Sequence, residues 1–179
     1  MAHNILQTPY GEILIRPSRP EEWAAYRELR LEALKNHPTA FGSDYEETLA
    51  HPDSYWQERM QLDDDRDALF LAELEEKLIG MTGIHRDNGK KGRHAAMVWG
   101  VYVRKGWRGL RIADELIRLC LDWGIRHGVV IARLGVATTN TAAIHCYERC
   151  GFSNYGIERK SMLYNGVYSD EYLMDCSLQ

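Results

Sequence analysis

The sequence predicts an α/β fold, a central mixed, mostly antiparallel sheet of about seven strands flanked by about four helices. Three observations predict it. Ala95–Val103 is an unbroken apolar run, the right length for a central strand and too short to cross a membrane. Ile131–Val136 is a second such run, and an amphipathic stretch from about Leu110 to His127 separates the two, which is the order of a strand–helix–strand crossover. Near the end, Asn165-Gly166 sits between Ser161–Tyr164 and Val167–Met174, the strongest short signal for a hairpin.

The elements follow in order. Ile13–Arg16 reads as a first strand. Ser18-Arg-Pro-Glu21 has capping-box spacing, with Pro20 suited to a first helical turn. The helix it opens runs to about Lys35, offers Trp23, Tyr26, Leu29, Ala33 and Leu34 to a core, and ends at His37-Pro38. A loop carries Phe41-Gly42, and a second helix follows over about Pro52–Leu62, with Trp56 and Met60 one turn apart. Asp63-Asp-Asp-Arg-Asp67 reads as a solvated turn and not a metal site, because consecutive carboxylates diverge and the Gly-containing calcium-loop spacing is absent. Ala68–Glu73 and Lys77–Ile84 are two strands joined at Glu75-Glu76. Asp87–Gly92 is a turn, and the adjacent Lys90, Lys91, Arg93 and His94 are a hairpin tip, without the interleaved aromatics of a nucleic-acid surface.

Beyond the central strand, Lys105-Gly-Trp107 is a turn. The long helix carries its apolar stripe on Ile112, Ala113, Leu116, Ile117, Cys120, Leu121 and Gly124, with Asp114, Glu115, Arg118 and Asp122 expected on the opposite face. Thr138–Asn140 caps a helix running to about Arg149, Gly151 ends it, and Phe152 begins another strand.

The 179 residues are read as a single domain spanning 1–179, long enough to bury about 70% of the unfolded surface without disulfides or metals. Composition is ordinary for a globular protein: 45% hydrophobic and 27% charged. A net charge of -4 and a pI near 6.0 argue against a nucleic-acid partner. No apolar run is long enough for a membrane helix, and Met1–Pro9 lacks the basic start and apolar block of a secretory signal. The cysteines, Cys120, Cys146, Cys150 and Cys176, form no Cys-x-x-Cys pair. They read as reduced, mostly buried thiols of a cytoplasmic protein, and Cys146 with Cys150 as an apolar pair one helical turn apart.

Chemistry concentrates in two stretches. In Val101-Tyr-Val-Arg-Lys-Gly-Trp-Arg-Gly-Leu-Arg-Ile-Ala113 a central strand ends and a helix begins within a few residues. Free N–H groups and the positive dipole end at a helix start favour an anion. Arg108 and Arg111 add charge, Gly109 lets the chain turn, and Ala113 leaves room for a close ligand such as a pyrophosphate. Neither the triphosphate P-loop nor the dinucleotide Gly-x-Gly-x-x-Gly fingerprint is present. The second stretch is Asn140-Thr-Ala-Ala-Ile-His-Cys-Tyr-Glu-Arg-Cys-Gly-Phe152.

Together the two stretches resemble the GNAT superfamily of N-acetyltransferases, from about residue 12 to 176. Arg108, Gly109 and Ala113 match the family's Arg/Gln-x-x-Gly-x-Gly/Ala loop, which holds the coenzyme A pyrophosphate. Asn140, Ala143, Tyr147, Gly151 and Phe152 match the segment that lies beside the pantetheine and thioester. The resemblance implies a cofactor site made by Val101, Tyr102 and Val103, the turn Arg108, Gly109, Leu110, Arg111, Ile112 and Ala113, and Asn140, Ala143 and Tyr147. Acetyl-CoA is the implied co-substrate and a primary amine, on a small molecule or a protein, the implied acceptor, with direct transfer and no metal. The family often dimerises, so a homodimer is a further expectation.

One position departs from the pattern: Arg111 replaces the family's central loop Gly. Its N–H can still donate if its dihedrals stay helical, and its guanidinium can reach a phosphate or point to solvent. Tyr147 is the implied general acid, since a phenol with a pKa of about 10 stays protonated at neutral pH. A backbone N–H near Val101 or Tyr102 would polarise the thioester carbonyl. No acid lies in Met97–Val103, so the base is sought at Glu46, Glu47 or His85 through water, or replaced by capture of the free amine. Phe41, Tyr45, Tyr164 and Tyr168 are candidates to line the acceptor pocket, where acidic neighbours would favour a cationic amine such as a polyamine, an aminoglycoside or a protein amino group. A binding module that holds an acyl-CoA without turnover, a fold that has lost the cofactor, and a transferase using another acyl donor are the rival readings.

Overall fold

The chain begins with a hairpin that the sequence did not announce. In the computed structural model, which describes residues 3–87 and 89–178, β1 (Asn4–Thr8) pairs with β2 (Gly11–Pro17). Thr8 Oγ1 closes the turn, donating to Gly11 O at 2.7 Å and accepting from Tyr10 N at 3.2 Å. β1 escapes sequence reading because it is a five-residue edge strand whose Ile5 is exposed. Asn88, within the turn expected over Asp87–Gly92, lies outside the described residues.

A 3-10 turn (Pro20–Glu22) leads into α1 (Trp23–Asn36). The capping interaction sits one residue later than expected: Glu22, not Glu21, accepts from the backbone N–H of Arg19 at 2.8 Å. Glu22 is drawn there by Arg16, which is buried between Glu22 and Glu73. α1 buries Tyr26, Leu29, Ala33 and Leu34 completely, a stripe at helical spacing, while Trp23 is half-buried. Each large side chain of such a stripe contributes about 1.5–3 kcal/mol.

The stretch expected to be a plain loop holds a short helix, α2 (Tyr45–Leu49). Asp44 Oδ1 accepts from Glu47 N at 3.0 Å, so Asp44-x-x-Glu47 was a legible start signal. α3 (Asp53–Arg59) buries Trp56, with Met60 one turn on. The acidic run after it is a turn, in which Asp63 Oδ1 accepts from Asp65 N at 3.1 Å.

The remaining elements are β3 (Asp67–Leu74), β4 (Lys77–Arg86), β5 (Ala95–Val103), a 3-10 turn (Lys105–Trp107), α4 (Ile112–Arg126), β6 (Ile131–Ala137), α5 (Thr141–Arg149), β7 (Ser153–Tyr164) and β8 (Val167–Ser177). Glu75 and Glu76, like Asn165 and Gly166, have positive φ at both turn positions, the hairpin geometry that follows strand twist. The fragments expected from Phe152 and over Ser161–Tyr164 are one long strand, β7, irregular opposite β8 at Asn154/Gly156 and Glu158/Met162.

The sheet has eight strands in the order β1-β2-β3-β4-β5-β6-β8-β7, and every neighbouring pair is antiparallel except β5 with β6. One face packs against α4 and α5 around Leu116, Ile117 and Cys120. The other packs against α1 and α3 around Tyr26, Leu29 and Trp56. Among the described residues, no helix is long and apolar enough to cross a membrane.

Two irregularities in the centre of the sheet position the site. β5 and β6 pair only over Ala95–Met97 and Ile131–Arg133. Between the pairs Met81–Tyr102 and Gly83–Trp99, Gly100 and Val101 both face Thr82 alone, which is a β-bulge. Gly100 has φ +68°, a conformation natural to glycine, and bends β5 where it leaves β6.

Candidate active site

Where β5 and β6 part, a cleft of about 500 Å³ opens through the sheet, well within the range of small-molecule sites. Val101, Tyr102 and Val103 form its β5 wall, Leu134, Gly135 and Val136 its β6 wall, and α5 closes it with Asn140, Ala143 and Tyr147. Arg108, Gly109, Arg111, Ile112 and Ala113 lie at the mouth. Leu110 is not among the lining residues and packs on the larger core instead.

The mouth is a backbone construction. Gly109 has φ +83° and Arg111 φ +62°, with Leu110 between them. Successive N–H groups in such a turn, followed by the free N–H groups of α4's first turn, make a concave anion-binding surface. The condition of helical dihedrals at Arg111 is not met: the residue is left-handed and stands just before α4, so the helix starts at Ile112. A left-handed non-glycine residue costs about 1–2 kcal/mol. Its guanidinium, largely exposed, donates to Asp114 Oδ1 at 3.0 Å.

The Arg108 side chain turns back into the protein. Nε donates to Val103 O at 2.9 Å and Nη2 lies 2.8 Å from His37 Nε2. Burial, joined by the Arg108 charge, lowers the His37 pKa, so the imidazole is neutral and accepts there. Arg108 therefore ties the end of β5 to the end of α1.

Asp114 was expected on the solvent face of its helix and is buried instead, because that flank of α4 meets α5. Arg149 grips both of its oxygens, Nε to Oδ1 at 2.9 Å and Nη2 to Oδ2 at 3.1 Å. Burial opposes the charge, but hydrogen bonds from Arg149, Arg111 and Cys146 outweigh it and hold the carboxyl below the usual range. Nothing local in the sequence marks this contact, since the partners are 35 residues apart. Asp114, Cys146 and Cys150 offer ligand atoms within 4.8 Å of one another, yet two guanidinium groups already compensate the carboxylate that a metal would need.

On α5, Asn140 caps the helix, its Oδ1 accepting from Ala143 N at 3.3 Å. Tyr147 is buried with its ring edge-on to Phe152, 6.1 Å away. Burial pushes its hydroxyl up, with Cys146 and Cys150 adding to the effect, so it keeps its proton.

The inner end of the cleft is lined by Phe41, Trp99 and Gly100. The Trp99 indole lies over Gly83, where a Cβ would come within 2.2 Å of the ring. Trp99 also lines a second pocket of about 460 Å³ on the α1/α3 face, together with Tyr26, Arg59, Asp67 and His85. There His85 Nδ1 is 2.5 Å from Asp67 Oδ1. Of the four aromatics considered for the acceptor, only Phe41 lines the cleft. Tyr45 lies under Lys35, and Tyr164 and Tyr168 are exposed on the last hairpin. Glu46 and Glu47 are exposed on α2 and line neither pocket. Guanidinium groups, those of Arg30 and Arg59, flank Trp99 and Gly100.

The comparisons agree with this architecture. The model of the acetyltransferase (GNAT) family matches residues 16–152. The L-amino acid N-acetyltransferase AaaT of Escherichia coli is 28% identical over 171 residues, covering 92% of this chain and 97% of its own. A GNAT-family acetyltransferase from Streptococcus pneumoniae superposes with a TM-score of 0.83 at 24% identity, over 94% of this chain and 100% of the other. The structure of yncA from Salmonella typhimurium, which holds acetyl-CoA, gives 0.79 at 20% identity, over 93% and 94%. With the family model matched over residues 16–152, the chain belongs to the GNAT acetyltransferase family and is an acyltransferase.

Proposed function

We propose that this protein moves an acetyl group from acetyl-CoA to a primary amine of a small molecule by direct transfer, with Tyr147 as the general acid. The observation that carries the proposal is the cleft itself. It runs from an anion-binding turn at the start of α4, along the unpaired edge of β5, past Tyr147, to an inner end lined by Phe41, Trp99 and Gly100, where Trp99 divides it from the second pocket.

The residues divide the work. The turn 108–113 receives the pyrophosphate through its backbone, and Val101–Val103 offer a strand edge to the pantetheine arm. The bulge at Gly100 and Val101 supplies N–H groups that polarise the thioester carbonyl. The neutral amine attacks that carbon, a C–N bond forms, and collapse of the tetrahedral intermediate breaks the C–S bond. Tyr147 gives its proton to the departing thiolate and regains one from the solvent-linked cleft. The proton lost by the amine passes to water, and His85, backed by Asp67 in the adjoining pocket, is the candidate receiver. The Cys146 thiol takes no part, since the hydrogen bond with Cys150, burial and the Asp114 charge keep it protonated.

The same reading places the protein in the cytoplasm. The exposed Tyr155, Ile157 and Leu163 of edge strand β7 support a homodimer.

Thiol release from acetyl-CoA, measured across a panel of amines, tests the function. Tyr147→Phe lowers kcat by about 100-fold or more with coenzyme A affinity unchanged. An unaltered kcat removes Tyr147 from the acid role. A melting-temperature rise of roughly 5–10 °C with acetyl-CoA and coenzyme A, but not ATP or NAD, identifies the cofactor. Binding without turnover on any amine selects the non-catalytic module, and faster turnover with succinyl-CoA selects another acyl donor.

A further inference from the structure

On the assumption that the acetyltransferase reading holds, we infer that the acceptor is an amine that also carries a carboxylate, and that Arg30 and Arg59 are the groups that recognise it. Arg30 rises from α1 into the protein and is 7% exposed. Its Nη2 donates to Ser43 Oγ at 3.2 Å and its guanidinium stacks on Phe41, 4.9 Å from the ring centre. Its Nη1 is buried with no hydrogen-bond partner. That orphaned donor faces the cleft wall, for a Cβ on Gly100 would lie 3.6 Å from it. Gly100 and Phe41 both line the inner end of the cleft.

Arg59 approaches the same place from α3. Its guanidinium lies 5.1 Å from the Trp99 ring centre and lines the second pocket. It reaches only the hydroxyls of Tyr26 and Tyr55, each at 3.5 Å. Among the described residues, neither Arg30 nor Arg59 has a carboxylate within 4.0 Å, whereas the buried Arg16 has two. Buried charges are ordinarily paired and their donors satisfied, because water is no longer there to do it. Two guanidinium groups without a carboxylate, Arg59 over the Trp99 ring and Arg30 behind the neighbouring Gly100, therefore describe the missing partner: a planar, bidentate anion delivered with the acceptor. Glu58 and Asp67 also line the second pocket, so cationic amines are the competing acceptors, represented in the test by the decarboxylated amines.

The test uses matched acceptors and the full chain. Thiol release is measured with L-methionine, L-leucine and L-phenylalanine, with their methyl esters, and with the corresponding decarboxylated amines. The expected result is a kcat/KM at least 10-fold higher for the acids. Arg59→Gln and Arg30→Gln each cut the ratio of acid to decarboxylated amine by 10-fold or more, and Arg30→Lys restores part of it. The coenzyme A-induced rise in Tm certifies that each variant is folded, and the half-exposed Arg59 carries the test if Arg30→Gln does not fold. Turnover of esters or amines equal to that of the acids overturns the inference and leaves the acetyltransferase standing. A preference for acids that survives both substitutions overturns the assignment to these arginines. If no acceptor turns over, calorimetric titration of the coenzyme A-loaded protein with N-acetyl-L-methionine decides: binding lost in Arg59→Gln upholds the inference, and no binding to the unaltered protein overturns it. Absence of both turnover and any coenzyme A response sinks the acetyltransferase reading itself.

Discussion

The two ends of the cleft are built from different materials. At the α4 end, the turn 108–113 presents main-chain N–H groups, and the side chains there are engaged elsewhere: Arg108 with Val103 and His37, Arg111 with Asp114. At the Trp99 end, the chain presents side chains drawn from α1, α3, β4 and β5, with charged donors left over. A main-chain site depends on dihedral angles and tolerates changes of side chain, which is how Arg111 stands where a glycine fits best. A side-chain site depends on identity, and a single substitution re-specifies it. The fixed end suits a constant ligand and the adjustable end a variable one.

The largest expected effect that would break this contrast comes from Asp114→Asn. It leaves Arg149 and Arg111 facing an amide and loosens α4 from α5. Both arginines are well exposed and rehydrate, so the cost is about 1–2 kcal/mol, a fall in Tm of about 3–6 °C. Coenzyme A binding should weaken while the acid-to-amine preference of the acceptor end stays put. A preference that shifts with Asp114 would show that the two ends are one unit.

Arg111→Gly sharpens the contrast at smaller scale. It relieves a left-handed side chain and loses one exposed ion pair, worth little in solvent. The net is a gain of about 0–1 kcal/mol in thermal unfolding, with coenzyme A affinity unchanged. A tenfold loss of affinity would mean that the guanidinium, not the backbone, holds the phosphates.

The smallest effect belongs to His37. Its folded pKa lies below the unfolded value of about 6.5, so the unfolded chain binds more protons between the two. Stability is therefore complete above pH 6.5 and declines as pH falls through the folded pKa. His37→Gln should flatten that slope in denaturant titrations followed across pH 5–7, and an unchanged slope would assign it to another group.

The same division explains what could be read from the sequence. Strand β5, helix α4 and the Asn140 cap announce themselves in contiguous residues, because apolar runs, helical spacing and caps are local signals. The turn was legible as a motif, but the φ of Arg111 was not, since it is set by how β5 and α4 must join. Asp114 was placed on the wrong face because only its contact with Arg149, on another helix, distinguishes it from Glu115 and Asp122. Arg30 and Arg59 looked like ordinary charges on amphipathic helices. Their lack of partners exists only once α1, α3 and β5 are folded together.

The short pairing of β5 with β6 has a consequence beyond the cleft's shape. Beyond Met97 and Arg133 each strand keeps its outer neighbour, β4 or β8, and among the described residues pairs with no strand along its inner edge. Open strand edges on a surface invite other chains to add on. Here the edge is recessed inside the molecule, where a polypeptide strand with side chains on both faces is too thick to follow. A thin, amide-bearing arm is not. The protein thus keeps a vacant seat in its own sheet and admits an occupant by thickness, and amide hydrogen exchange along Val98–Val103 should slow when that seat is filled.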